Sequence, residues 1–346
     1  MSTFEIQAVP SKRGSDFADL SRIINHAGLL ERRTGYYAAK IVLNLLAFAG
    51  GWVAFALIGD TWWQLFMAAF FAVMFTQLSF IGHDAGHKQI FRTRRANDAV
   101  GHLHAGLTGL SYGWWIGKHT RHHANPNHED EDPDIDIAVL AFTARQGSAK
   151  RGFLRWMAKY QAFLFFPLLL LEGLDLHVSS VQAVRKGEVK SRTLEAGLLI
   201  GHFAAYLTAV FLVLSPLTGI VFILVHHALW GLYMGCSFAP GHKGMPTLSA
   251  GHELDFLRKQ VLTSRNVRGG HAVDFVLGGL NYQIEHHLFP SMPRPSLRRA
   301  QVLVREFCEQ RGIDYAQCGW PASYGHVLHH LHAVGAPLRA TSPNVS

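Results

Sequence analysis

The sequence predicts an all-α integral membrane protein, with four transmembrane helices in two hairpins beneath a cytoplasmic, histidine-rich helical cap. Three observations carry that expectation. Of 346 residues, 49% are hydrophobic and only 16% are charged, where an average soluble domain has about 25% charged. The apolar residues gather into four runs without Asp, Glu, Lys or Arg, each near the length of about 20 residues that a helix needs to cross a bilayer. Histidine, at 22 residues, clusters where the chain would leave the membrane.

The elements follow in order. Residues 1–35 are polar and mixed in charge, without the apolar core and cleavage site of a secretory signal, and read as an N-terminal cytoplasmic segment. Runs at 41–58 and 62–82 are joined by "GDT", and runs at 196–214 and 217–239 by "SP", so each pair reads as a helical hairpin. Neither connector holds Lys or Arg. All 32 basic residues therefore fall on the side that carries both termini, which the positive-inside rule makes the cytoplasm. Two shorter stretches, "LHAGLTGLSYGWWIG" (103–117) and "AFLFFPLLLL" (162–171), read as interfacial or re-entrant. The first is Gly-rich with basic flanks, and the second has a central proline with charges close by. Residues 36–310 then form the membrane domain and 311–346 a C-terminal cytoplasmic tail, frayed over its last ten residues.

A net charge of +8 raises nucleic acid as a partner, but the basic residues flank membrane spans and recur in "RPSLRRAQVLVREF". Contact with anionic lipid headgroups accounts for them, and no nucleic-acid partner is expected. The three cysteines, Cys236, Cys308 and Cys318, form no CxxC pair and read as reduced, inert thiols.

Three histidine clusters stand on the expected cytoplasmic side. "HDAGH" sets His83 and His87 four apart, on one face if the second span continues as a helix. "KHTRHHANPNHEDEDPD" carries His119, His122 and His123 at i, i+3 and i+4. "NYQIEHHLFP" repeats those offsets with Gln283, His286 and His287. Two hairpins bring all three clusters to the same membrane face, where they can converge. Seven imidazoles exceed the four ligands of one tetrahedral zinc, so two metal ions fit the count, and imidazole alone leaves iron, copper, zinc and nickel open. His242, in "FAPGHKGMP" just past the fourth span, is an eighth candidate. Asp84, Glu285 and the acidic run "EDEDPDID" offer carboxylates that could orient ligating rings, and Gln283 is a weaker ligand or an orienting group.

The remaining histidines receive structural readings. "HVLHHLH" repeats the spacing with His326, His329 and His330, but follows a long polar segment and reads as an ordinary helix face. His226 and His227 lie in the middle of the fourth span and read as interhelical hydrogen-bonding groups, with a place along a substrate cavity as the alternative. His26, His102, His104, His128, His177, His202, His252 and His271 belong to no pattern.

At these motifs the sequence resembles the membrane fatty acid desaturase family, with its boxes HxxxH, HxxHH and [HQ]xxHH. "HDAGH", "HTRHHANPN" and "NYQIEHHLFP" are similar to the boxes of bacterial acyl-lipid desaturases, and the Gln form of the third also resembles front-end desaturases. The resemblance covers roughly residues 35–310. It implies a non-haem di-iron centre, two iron ions held by His83, His87, His119, His122, His123, His286 and His287, with His242 matching an additional histidine after the fourth span. It implies removal of two hydrogens from a fatty acyl chain, carried on a lipid or as an acyl thioester, by O2 and two electrons. The electrons would come from a separate ferredoxin-type or similar carrier and its reductase, and the setting would be a bacterial inner membrane. One departure is Gly241, where the resemblance leads us to expect a polar side chain. A di-iron lipid hydroxylase of the same fold is the nearest alternative. A membrane metal transporter or sensor is the more distant one, since transporters place their sites near the midplane on broken helices.

Overall fold

The computed structural model describes residues 15–251 and 254–340. The spans are α2 (Thr34–Ile58), α3 (Gln64–Gly86), α9 (Arg192–Val213) and α10 (Pro216–His242), and all four are long and apolar enough to cross a membrane. At 1.5 Å per residue, the 25 residues of α2 extend about 37 Å. Each hairpin turn has residues suited to a helix end. The Gln64 amide donates to Phe55 O and Gly59 O at 2.8 and 2.9 Å, covering carbonyls left over at the end of α2. Pro216 begins α10, where its missing N–H costs nothing. Outward side chains such as Leu43, Leu57, Ile200 and Leu212 are mostly exposed and apolar, as a lipid-facing surface requires.

All four spans run past the limits expected from hydropathy, α9 by beginning at Arg192. α2 begins at Thr34 and so includes Lys40. α3 continues through His83 to Gly86 with His87 as its C-cap, so the HxxxH pair does share a helix end. α10 continues through Pro240 to His242.

The stretch at 103–117 is the tip of a helical hairpin made by α4 (Arg94–Thr108) and α5 (Tyr112–Ala124). It folds back along α3 and α9, with Gly109 in the left-handed conformation (φ 72°) ending α4. Its tip sits against His202, in the middle of α9. Backbone groups at such a tip need partners. His177 donates to Thr108 O at 3.1 Å, the Glu195 carboxylate accepts from Gly113 N at 3.1 Å and pairs with the Ser111 hydroxyl, and the Ser111 N–H donates to Ser180 at 3.0 Å. These contacts explain His177 and Glu195 as supports of the turn that returns the chain toward the cap.

After the short α6 (Ala144–Ala149), α7 (Gly152–Leu169) and α8 (Glu172–Lys186) meet at an 81° bend, as for a broken span or a re-entrant segment. Pro167 lies near that bend. The cap comprises α1 (Asp16–His26), α11 (Phe256–Leu262), α12 (His271–Val276), α13 (Gln283–Leu288) and α14 (Arg294–Gln310), and Leu20, Ile24, Val261, Ile284, Leu297 and Val304 are in its core. Two three-residue strands, β1 (Asn266–Arg268) and β2 (Gln317–Gly319), pair in parallel with Val267 opposite Cys318. The segment read as a tail instead folds back as α15 (Trp320–Ala340), which buries Val327 and Leu331 against α7 and α10. Residues 341–346 of the expected frayed end, residues 1–14 and His252 lie outside the described residues.

Candidate metal centre

Four helix ends converge in the cap: the end of α3 with His83 and His87, the last two turns of α5, the last residue of α10, and α13. The structure brings all eight candidate histidines together. His83, His87, His119 and His286 form one group, and His122, His242 and His287 another, the ligand atoms within each lying within 4.8 Å of one another. His123 lies between the groups, its ring centroid 4.1 Å from that of His287 and 4.6 Å from that of His87. The division follows from helix geometry. Successive residues point about 100° apart, so the His286–His287 pair sends one ring to each group.

The tautomers in the three-histidine group are set by acceptors on Nδ1. His122 Nδ1 faces both oxygens of Asp132 at 3.0 Å, His242 Nδ1 faces Thr263 O at 3.1 Å, and His287 Nδ1 faces Gln260 Oε1 at 2.9 Å. A carboxylate, a carbonyl and an amide oxygen can only accept, so each Nδ1 carries the proton and each Nε2 a lone pair. These Nε2 atoms stand 3.2 Å (His122 to His242) and 3.0 Å (His242 to His287) apart. Lone pairs aimed at one another at that distance need a cation between them. In the four-histidine group, His83 Nε2 and His286 Nε2 are buried without a partner. The donor set therefore fits two metal ions, and imidazole nitrogen is a good ligand for iron.

Electrostatics agree. Burial, reinforced by the neighbouring rings, holds His87, His119, His123, His286 and His287 well below the ordinary imidazole value, keeping them neutral and free to donate electron pairs. Burial pushes Glu285 up to about 7, against the lowering effect of hydrogen bonds from Tyr315 and Asn266. That carboxyl accepts from Tyr315 OH at 2.7 Å and from Asn266 Nδ2 at 2.7 Å, which occupies one oxygen with each. One residue before His286 on a helix, it points away from the chamber and braces the cap. Asp84 does approach its ring, with Oδ1 3.3 Å from His83 Nδ1. Gln283 Nε2 lies 2.8 Å from His242 Nε2, at the edge of the three-histidine group. Gly241 makes room for it, because a Cβ there would meet Gln283 Cγ at 2.8 Å.

Two supports were not singled out in the sequence. Asp132 is one of several acids in its run, yet it alone bonds His122 through both oxygens and is 1% exposed. Gln260 has no motif around it; its amide donates to His123 O at 3.0 Å while its oxygen holds His287. Outside the chamber, His330 donates to Phe142 O at 2.9 Å, and neither it nor His326 or His329 joins a metal-capable group among the described residues. His226 does bond between helices, to Tyr206 OH at 2.7 Å. His227 differs from expectation, because its Nδ1 bonds Ile223 O of its own helix at 2.9 Å.

Fold and site together define a polytopic helical membrane protein whose helix ends build a buried histidine chamber able to hold metal ions. The chain belongs to the fatty acid desaturase family, a family of oxidoreductases that uses iron: residues 60–319 match the family described as "Fatty acid desaturase". It is 30% identical over 311 residues to an acyl-lipid (9-3)-desaturase of Physcomitrium patens, an alignment covering 87% of this chain and 59% of that protein. It is 30% identical over 331 residues to the Delta(5) fatty acid desaturase fat-4 of Caenorhabditis elegans (91% and 73%). It is 32% identical over 299 residues to a Delta 8-(E)-sphingolipid desaturase of Emericella nidulans (80% and 55%). The chain thus spans less than two thirds of the length of the moss and fungal proteins.

Proposed function

We propose that this chain is a membrane-bound, O2-dependent desaturase that introduces a carbon–carbon double bond into a fatty acyl chain carried on a lipid or as a thioester. The observation that carries this reading is the pair of converging histidine groups, in one of which the Nε2 atoms of His122, His242 and His287 meet unprotonated. His83, His87, His119 and His286 would hold one iron and His122, His242 and His287 the other, with His123 between them and Gln283 as a weaker ligand or orienting group. Bound there, two irons supply the oxidising power, drawn from O2 and two electrons, that side-chain acids and bases lack for an alkyl C–H bond. The overall balance takes one –CH2–CH2– unit, O2, two electrons and two protons to one –CH=CH– unit and two waters.

The protein's part is positional. Asp132, Thr263 and Gln260 keep the ring protons on Nδ1, so the Nε2 lone pairs stay available. Burial of the rings keeps bulk water from the reacting carbons. An acyl chain gains about 0.8 kcal/mol for each methylene it buries, so apolar contact among the spans can hold it with one carbon pair beside the chamber.

The catalytic unit is residues 36–310, and the chamber faces the cytoplasm, since neither hairpin connector carries a basic residue. The resemblance read in the boxes would put the chain in a bacterial inner membrane, with a ferredoxin-type carrier and its reductase as electron source, while the relatives compared above come from Physcomitrium patens, Caenorhabditis elegans and Emericella nidulans. Gas chromatography with mass spectrometry of lipids from an expressing host tests the reading. Wild type gives a new acyl double bond and His122→Ala gives none. A product that retains oxygen would make the chain a hydroxylase, and unchanged lipids in both hosts would count against an enzyme altogether.

A further inference from the structure

His83 and His286 meet with ring centroids 4.7 Å apart, although they come from α3 and α13, some two hundred residues apart in the chain. A clasp beside them ties the two segments. Arg294, the first residue of α14, is 8% exposed, and its Nη2 lies 2.7 Å from Asp84 Oδ2. The same Nη2 donates to Phe80 O at 2.8 Å, and the guanidinium lies over the Phe80 ring. Its backbone N–H donates to Tyr37 OH at 3.1 Å, Tyr37 OH donates to Gln89 Oε1 at 2.8 Å, and the Gln89 amide donates to Pro290 O at 2.8 Å. The chain from His287 to Arg294 is thus fastened to both flanks of the "HDAGH" motif, while the other oxygen of Asp84 faces His83 Nδ1.

A buried ion pair is a poor way to gain stability, because desolvating both charges cancels much of their attraction; its best-attested use is to fix how elements register. We propose that Arg294 is a positioning residue, which holds His83 through Asp84 and sets its distance from His286, so that the four-histidine group binds its metal. This rests on the reading that both groups hold iron. A guanidinium suits the task better than an ammonium, since its planar group lies over the Phe80 ring while its Nη2 meets both the Asp84 carboxylate and the Phe80 carbonyl.

The test uses the full chain, purified with iron, as wild type, Arg294→Lys, Arg294→Met and the double variant Asp84→Asn/Arg294→Met. Iron per chain, Mössbauer spectra and thermal stability are read for each. Wild type with two irons establishes the underlying reading separately, and wild type without iron defeats that reading rather than this inference. Arg294→Lys keeps the charge and the fold but weakens one iron by about 10–100-fold, the usual range for an orienting partner, and alters one of two Mössbauer components. Arg294→Met leaves one iron. The double variant recovers stability, having no unpaired buried carboxylate, yet does not recover the lost iron. Two irons with wild-type spectra in Arg294→Lys and the double variant would overturn the proposal. So would loss of both irons in parallel with loss of folded protein. If Arg294→Met does not fold, the other two variants decide.

Discussion

Replacing Asp132 by asparagine changes almost no volume and reverses one hydrogen-bond requirement. The carboxylate accepts from His122 Nδ1 through both oxygens at 3.0 Å, from Asn127 N at 2.7 Å and from Asp134 N at 2.8 Å. Every neighbour is a donor, so an amide must turn its NH2 toward one of them. Set against His122, it drives the ring proton from Nδ1 toward Nε2, opposed only by the Asp134 carboxylate 3.4 Å from Nδ1, and withdraws the lone pair from the three-histidine group. Set against a backbone N–H, it leaves a buried donor unpaired, at about 1–3 kcal/mol. Loss of an orienting carboxylate costs about 10–100-fold in metal affinity, equivalent to about 1.4–2.8 kcal/mol. The assay is retention of iron by purified protein against a graded chelator, read per chain. Asp132→Asn should release one of two irons at about a tenth to a hundredth of the chelator activity that wild type needs, while the second iron titrates as in wild type. A folded Asp132→Asn protein that holds both irons as wild type does would refute the tautomer argument.

Three other outcomes are expected. Gly241→Ala drives a methyl to 2.8 Å from Gln283 Cγ and should cost about 1–3 kcal/mol of thermal stability; adding Gln283→Ala should restore it, and no recovery would show that the clash lies elsewhere. Tyr206→Phe strands His226 in the bilayer interior and should lower stability by about 1–2 kcal/mol without changing iron content; a change in iron content would link this pair to the chamber. Protein stripped of metal should lose stability as pH falls below 6.5, because the unfolded chain then takes up protons that the buried His119, His123, His286 and His287 rings refuse. Melting temperature should rise with pH across that window, and a flat profile would contradict the depressed values.

The four spans were legible because a bilayer demands long, charge-free runs, and α2, α3, α9 and α10 satisfy that demand in the sequence itself. The histidine clusters were legible because helix periodicity turns offsets of three and four into a shared face. What stayed hidden depends on contacts between remote segments. Nothing local marks Asp132 among its acidic neighbours, and Gln260 and Arg294 act on rings in other segments. Glu285 sits inside a motif yet points away from it, since adjacency along a helix is not adjacency in space. His177 is explained by the Thr108 carbonyl, a partner that leaves no side-chain signature. The helix at "HVLHHLH" was legible from its periodicity, but its docking was not, because the surfaces that bury Val327 and Leu331 belong to α7 and α10.

Iron stoichiometry and Mössbauer spectroscopy of the purified chain, taken from the preparation that desaturates lipid, bear most directly on the account. It predicts two irons per chain, with both lost progressively as histidines from the two groups are replaced. A folded, active chain holding a single metal, or none, would contradict it.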